Sequence, residues 1–277
     1  MLKTFYINLD TSQQRNARMV DQLQALGLPF ERIAAVNGAA LSQQQKSLVD
    51  EEKFLLNTKR HIKDGEIGCA ISHRLIWQRM LDDNIAYALI LEDDVTIDKA
   101  ILSVLQVATT SQVFDFLNLS SNFPYNITTD KVKALLAGHK TVTRAAKNHH
   151  DFVPLDWSKH WQIFALHQLN ASVVACECNP VPALASGYLI SKKAASCFLA
   201  ASDVLTVPID NIWRYAGGAL RQGFLVNPLI VQTQQDTHIG DRTQTISLSW
   251  MQKVQRAWLK RQPNPRLADV KRMYYVK

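Results

Sequence analysis

Glu92, Asp93 and Asp94 stand side by side where the apolar run AYALIL (86–91) ends. Three adjacent carboxylates repel one another, so at least one pKa rises unless a cation sits among them. Side chains alternate along a strand, which puts Glu92 and Asp94 on one face and turns Asp93 away. An acid-x-acid pair at the carboxyl end of a buried strand suits a hard divalent ion, Mg²⁺ or Mn²⁺, that keeps oxygen ligands and can hold a diphosphate. The plainer reading is a group of solvated acids at a loop or helix start. Asp94 is the first choice for a metal ligand. Glu92 is its partner, at the metal or at a ribose, and Asp93 stays open.

The elements that must position these acids can be traced along the chain. TFYINL (4–9) has the uniform apolarity of a buried parallel strand. A helical pattern follows, with Met19, Leu23 and Leu26 on one face and Gly27 at its end. FERIAAV (30–36) is a second strand, closed by an Asn37-Gly38 turn. This β-α-β opening suggests an α/β sandwich with ligands at the carboxyl ends of its strands. GEIGCAISHRLIWQRMLDDN (65–84) reads as a Gly-bounded turn and then a helix, and the acidic strand comes next. FDFLNLS (114–120) is a further strand, residues 163–177 a hairpin, 185–202 a strand edge and then a helix, and FLVNPLIVQTQQ (224–235) the last strand. Residues 121–160 are the irregular part, expected as an insertion or a substrate-covering loop, and their four histidines (139, 149, 150, 160) show no metal spacing.

Composition narrows the function classes. With 277 residues, 47% of them hydrophobic, the chain can bury a large core. The net charge is +7, yet from Lys253 onward eight bases meet one acid, so the first 252 residues are neutral. A neutral body argues against a nucleic-acid-binding face. The basic stretch from 250 to 277 interleaves cations with Trp258, Met273, Tyr274 and Tyr275, and so reads as an amphipathic tail suited to an anionic membrane surface, or else as a helix that packs by its aromatics. Four cysteines without a CxxC pair are expected reduced, as in a cytoplasmic protein. No signal peptide or membrane-spanning run is expected.

Four blocks in order carry a family resemblance: YINLDTSQQR (6–15), FERIAAVNG (30–38), GEIGCAISH (65–73) with LILEDDV (89–95) close behind, and SGYLISKKAA (186–195) followed by PID (208–210). Together they resemble glycosyltransferase family 25, the lipopolysaccharide and lipooligosaccharide galactosyltransferases with relatives among collagen galactosyltransferases. The resemblance covers roughly residues 4 to 215. GEIGCAISH and LEDDV at this spacing are its specific part. One departure is Thr11, where the family pattern usually has Arg after INLD; the nearby basic role falls to Arg15. The resemblance implies a GT-A-type, Rossmann-like nucleotide-sugar-binding α/β sandwich with a mostly parallel central sheet, spanning residues 1–249 as one domain ahead of the basic tail. It further implies a UDP-sugar donor, usually UDP-galactose, inversion at the anomeric carbon, and a β-linked product on a glycan or lipid-linked oligosaccharide.

Against that expectation each polar residue has two readings. Asp210 is the candidate general base for the acceptor hydroxyl, or a helix N-cap after Pro208. Glu66 is the rival base, or a capping residue beside Gly65. Ser72 and His73 contact the donor, or cap and pack at the start of their helix. Asn8, Asp10 and Arg15 lie where uridine and phosphates are expected, although Arg15 also suits a plain surface helix. Ser186, Gly187 and Tyr188 shape the donor-sugar pocket, with Gly187 admitting close backbone approach, or Tyr188 belongs to the core. His238 completes a metal site from the last strand's loop, or is an ordinary loop residue. Other UDP-hexose transferases stay open. So do an acid-cluster metal-dependent phosphoryl hydrolase, which would want more acids on late strands than this chain has, and a family member serving only to bind glycans.

Overall fold

The computed structural model describes residues 2–120, 141–143, 162–233 and 244–275. In chain order its elements are β1 (Leu2–Asn8), α1 (Gln13–Ala25), β2 (Phe30–Ala34), α2 (Gln43–Lys46), α3 (Glu51–Thr58), α4 (Asp64–Asp82), β3 (Tyr87–Glu92), β4 (Val95–Ile97), α5 (Ile101–Ser111) and β5 (Phe116–Asn118). They continue with β6 (Thr141–Thr143), β7 (Gln162–Gln168), β8 (Val174–Asn179), β9 (Gly187–Ser191), α6 (Lys192–Ala201), a 3-10 segment (Ile209–Arg214), β10 (Gln222–Leu225), β11 (Ile230–Gln232), α7 (Trp250–Leu259) and α8 (Pro265–Tyr274). His238 and all of 121–160 except 141–143 lie outside the described residues.

The main sheet runs in the order β2-β1-β3-β9-β5-β10-β8-β7-β6. β2, β1, β3, β5, β10 and β7 point one way, and β9, β8 and β6 point the other. The sheet is therefore mostly parallel in direction but mixed in pairing. The continuous parallel block is β2-β1-β3, whose carboxyl ends carry the acids. Strand alternation sorts the core into two layers. Phe5, Ile7, Ala88, Ile90, Phe116 and Tyr188 meet α4 and α6 on one face. Tyr6, Leu89, Leu91, Leu117 and Leu189 meet α1 and α5 on the other. Burial on both faces is why β3 is apolar until its last residue, Glu92.

Several elements differ from the sequence expectation, each for a local reason. GEIG is part of α4 and not a turn before it: the carboxylate of Glu66 accepts the Lys63 amide at 3.0 Å and so starts the helix. Its glycines serve close approach, since a Cβ on Gly68 would stand 2.3 Å from the Val36 carbonyl oxygen. Ser72 and His73 consequently sit mid-helix and cap nothing. The 185–202 strand is central, hydrogen-bonded to β3 on one side and β5 on the other. The expected last strand is two: Pro228 has no N–H for a ladder, and the chain breaks into β10 and β11 around it. β11 leaves the main sheet to pair with β4, placing Gln232 opposite Val95.

The basic 250–277 segment also divides. α7 has no buried residue and exposes Trp250, Met251, Val254 and Trp258. α8 belongs to the fold: Arg266 is 1% exposed and donates to the Leu220 carbonyl at 2.6 Å, and the Tyr274 ring stacks on Phe164 with centroids 3.8 Å apart. The same helix end reaches Glu177 through the Tyr274 hydroxyl. Burial alone would raise the Glu177 pKa. Hydrogen bonds from His167 (2.8 Å), Arg221 (2.7 Å) and Tyr274 outweigh it and hold the carboxyl down at about 2.

A carboxyl depressed on folding stabilises above its unfolded pKa, and that contribution is lost as pH falls through the folded value. Moving Glu177 from 4.5 to about 2 corresponds to about 3 kcal/mol, present above pH 4.5 and lost on the way down to about pH 2. Urea unfolding across that range should show this loss in the wild type and a flatter profile in Glu177→Gln. A variant with the wild-type slope would remove Glu177 as the source.

Candidate functional site

A cleft of about 560 Å³ opens at the carboxyl ends of β1, β2 and β3. Its walls are the start of α1 with Arg15, the 35–39 connection after β2, one face of α4, the three acids, residues 184–185 before β9, Pro208–Asp210, and Gln232. This collects Arg15, Glu66, Ser72, His73, Glu92, Asp93, Asp94 and Asp210 around one space, although they span nearly 200 positions of sequence. Asn8, Asp10, Ser186, Gly187 and Tyr188 do not line it.

The three acids have unequal surroundings. β3 ends at Glu92, and Asp93-Asp94 form a turn, so simple alternation stops one residue early and all three face the cleft. Asp93 is held by the Asn8 amide at 2.6 Å and by Arg15 at 3.2 Å. Asp94 is 7% exposed; its Oδ2 accepts from Gln232 at 2.8 Å, and its Oδ1 is buried with no hydrogen-bond partner among the described residues. Burial, then the charge of Glu92, pushes the Asp94 carboxyl up. Among the described residues no Lys or Arg lies within ion-pair distance of Glu92 or Asp94. Two carboxylates adjacent on the cleft wall, one with a buried unpartnered oxygen, fit a hard divalent cation of the Mg²⁺ or Mn²⁺ kind.

The other positions sort by contact. Asn8 is a bracket: it also accepts from Arg32 at 2.9 Å, and Arg32 extends to Asp10 at 2.5 Å on the exposed rim. Ser72 ties α4 to the end of β2, donating to Gly68 at 2.7 Å and accepting from the Val36 amide at 2.9 Å. Tyr188 is fully buried, its hydroxyl joined to His73 Nδ1 at 2.8 Å and to Trp77 Nε1 at 3.1 Å. Gly187 makes room for a side chain, since a Cβ there would stand 2.4 Å from Ile230. Ser186 gives its carbonyl to the Glu92 amide at 2.9 Å, while its hydroxyl is buried without a partner.

Glu66 and Asp210 contrast. Both Glu66 oxygens are taken by Arg60, at 2.6 and 2.7 Å, with side chains only 5% and 14% exposed. Asp210 lies in the first turn of the 3-10 segment, where Pro208 occupies the capping position, and accepts from the Asn211 amide at 2.9 Å. The hydrogen bonds to Glu66, with a smaller contribution from the Asp210 charge, raise the Arg60 pKa.

Sequence reasoning missed Arg60, Gln232 and Cys69. Nothing in the sequence relates Gln232 to Asp94; only the β4–β11 pairing does. Cys69 and His73 were legible as an i, i+4 pair on one helix face.

The family model for glycosyltransferase family 25 (LPS biosynthesis protein) matches residues 1–213. The chain belongs to this family. A putative glycosyltransferase of Haemophilus influenzae is 29% identical over 122 residues, 43% of this chain and 41% of that protein. A glycosyltransferase 25 family member of Anopheles gambiae is 38% identical over 97 residues, 33% of this chain and 16% of its own length. Human procollagen galactosyltransferase 2 is 32% identical over 95 residues, 33% of this chain and 15% of that protein. The chain thus spans less than half the length of these curated relatives. Among solved structures, A197 from STIV aligns at a TM-score of 0.37 and 11% identity, over 88% of this chain and 100% of that one, too slight a likeness to bear on function.

In this family-25 chain the buried Arg60–Glu66 pair supports the cleft wall, and breaking one side strands a buried charge. Arg60→Met should cost about 3 kcal/mol in urea unfolding. Arg60→Met with Glu66→Leu should recover most of it. A double variant as weak as the single would show that Glu66 does not depend on Arg60.

Proposed function

We propose that this family-25 chain is a metal-dependent, inverting glycosyltransferase that moves galactose from UDP-galactose to a lipopolysaccharide or lipooligosaccharide glycan, forming a β-linkage. The observation behind this reading is the pair Glu92 and Asp94, with its orphaned Asp94 oxygen, set in one cleft with Asp210. Relatives named procollagen galactosyltransferases support galactose as the sugar. Glucose or N-acetylhexosamine is the alternative within the same chemistry.

When bound, Mg²⁺ or Mn²⁺ supplies charge neutralisation for the departing UDP. Asp94, through its unpartnered oxygen, and Glu92 would hold it. Arg15 fixes Asp93 and brings a cation to the same wall. Asp210 takes the proton of the acceptor hydroxyl as that oxygen attacks. Asp210 is favoured over Glu66 because Arg60 engages both Glu66 oxygens.

Turnover of a panel of UDP-sugars, with and without Mn²⁺, tests the reading. Wild type should turn over UDP-galactose only with the ion, and Asp94→Asn should lose that dependence together with the activity. Turnover of no UDP-sugar, or full metal-dependent activity in Asp94→Asn, overturns it. Asp210→Asn should lower kcat by roughly 10²–10⁴-fold, while Glu66→Gln should act chiefly on stability. The reverse pattern would exchange their roles.

A lipid-linked acceptor calls for a membrane-facing surface, and α7 supplies the chemistry. Trp250, Met251, Val254 and Trp258 are 51–78% exposed, and Lys253, Arg256 and Lys260 are interleaved with them along the same helix and its C-cap. No helix among the described residues is long and apolar enough to cross a bilayer, so the contact proposed is peripheral, at the cytoplasmic face. Trp250→Ser with Trp258→Ser should weaken sedimentation with anionic liposomes. Truncation is a poorer test, because it also removes the packed α8. Unchanged binding would refute a role for α7.

A further inference from the structure

Cys69 and His73 sit one turn apart on the face of α4 that borders the cleft, and Glu92 reaches them from the end of β3. Cys69 Sγ is 3.7 Å and His73 Nε2 is 3.5 Å from the same oxygen, Glu92 Oε1. The three ligand atoms lie within 4.8 Å of one another. His73 is completely buried. Its Nδ1 is engaged by the Tyr188 hydroxyl, which Trp77 holds in turn, and its Nε2 has no hydrogen-bond partner among the described residues.

A buried ring nitrogen with no partner, aimed at a thiol and a carboxylate, calls for an explanation. Tetrahedral Zn²⁺ has bonds of about 2.3 Å to sulfur and about 2.0 Å to nitrogen or oxygen, which gives ligand–ligand edges of about 3.3–3.6 Å. The observed 3.5 and 3.7 Å separations nearly match before any adjustment. The Tyr188 hydroxyl on Nδ1 already orients the ring, as a ligating histidine is normally oriented through its other nitrogen.

We propose that Cys69, His73 and Glu92 form a second metal site, for a borderline-soft divalent cation of the Zn²⁺ type, with its fourth position open to the cleft. It differs in kind from the oxygen site at Asp94. Thiolate and imidazole select Zn²⁺ over Mg²⁺ and Mn²⁺, and binding releases the thiol proton. The two sites share only Glu92.

Cobalt substitution tests this without donor, acceptor or turnover, so the outcome is independent of the transferase reading. Co²⁺ should produce thiolate-to-metal charge-transfer absorption at one equivalent, displaced by Zn²⁺. Cys69→Ser should abolish the band and weaken Zn²⁺ binding by more than roughly tenfold, while Asp94→Asn retains both. Alkylation of wild-type protein, read by mass spectrometry, guards against a misfolded variant: Zn²⁺ should protect Cys69 and leave Cys197 unaffected. Absence of the band, or its persistence in Cys69→Ser, or equal protection of both thiols, overturns the site. That result would leave an ordered water as the partner of His73 Nε2. Loss of the band in Asp94→Asn would overturn the separation of the two sites.

Discussion

A buried carboxylate oxygen with nothing to bond to is the constraint around which this molecule is arranged. Among the described residues the buried Asp94 Oδ1 has no partner, and burial, then the charge of Glu92, pushes its carboxyl up. An unpaired polar group in that position costs roughly 1–3 kcal/mol. The surrounding framework holds the arrangement in place. β4 and β11 pair away from the main sheet and bring Gln232 to the other Asp94 oxygen, and Thr233 grips the Asp94 carbonyl at 2.7 and 2.8 Å. The site is thus fixed by hydrogen bonds that leave one oxygen vacant.

Counter-charge is distributed unevenly around the same space. Arg15 answers Asp93, and Arg60 answers Glu66. Asp93 is thereby a fixed wall, and Glu66 combines the start of α4 with a buried ion pair. Glu92 and Asp94 have no such cation among the described residues. That asymmetry separates acids held by a cation from acids left without one, and neighbours decide it. EDD is one tripeptide, yet its members differ because Asn8 and Arg15 hydrogen-bond the middle one.

Much of this was legible in the sequence where local rules govern. The apolar β3 with acids at its end, the first helix stopping at Gly27, and the 163–177 hairpin all follow from periodicity and turn chemistry. The failures share a cause. GEIG reads as a turn because two glycines usually mark one; here they let α4 run against the Val36 carbonyl, a demand made by another part of the chain. FLVNPLIVQTQQ reads as one strand until the missing Pro228 amide is counted. Gly187 looked like a pocket residue from its place in a family block, but β9 is central and buries it, and Tyr188 takes the core position that was its other reading. Asp94's partner Gln232 lies 138 residues away, and no pattern of one chain reveals such a pairing.

The helix that replaced the expected turn also explains why chemistry accumulates on α4. A continuous helix from Asp64 repeats one face every three to four residues, so Glu66, Cys69 and His73 all border the cleft. A turn followed by a later helix start would have placed Glu66 and Cys69 in unrelated directions. Ser72 lies next to that face and spends its hydroxyl on the end of β2, so the helix cannot rotate without breaking the Val36 bond. Tyr188 and Trp77 secure the His73 ring from behind. The buried side of α4 is therefore held by the hydrogen bonds of Ser72 and His73, and Glu66 by Arg60, while Cys69 and His73 Nε2 are turned to Glu92. That division requires His73 to be wholly buried while its Nε2 still meets Glu92, and both are observed.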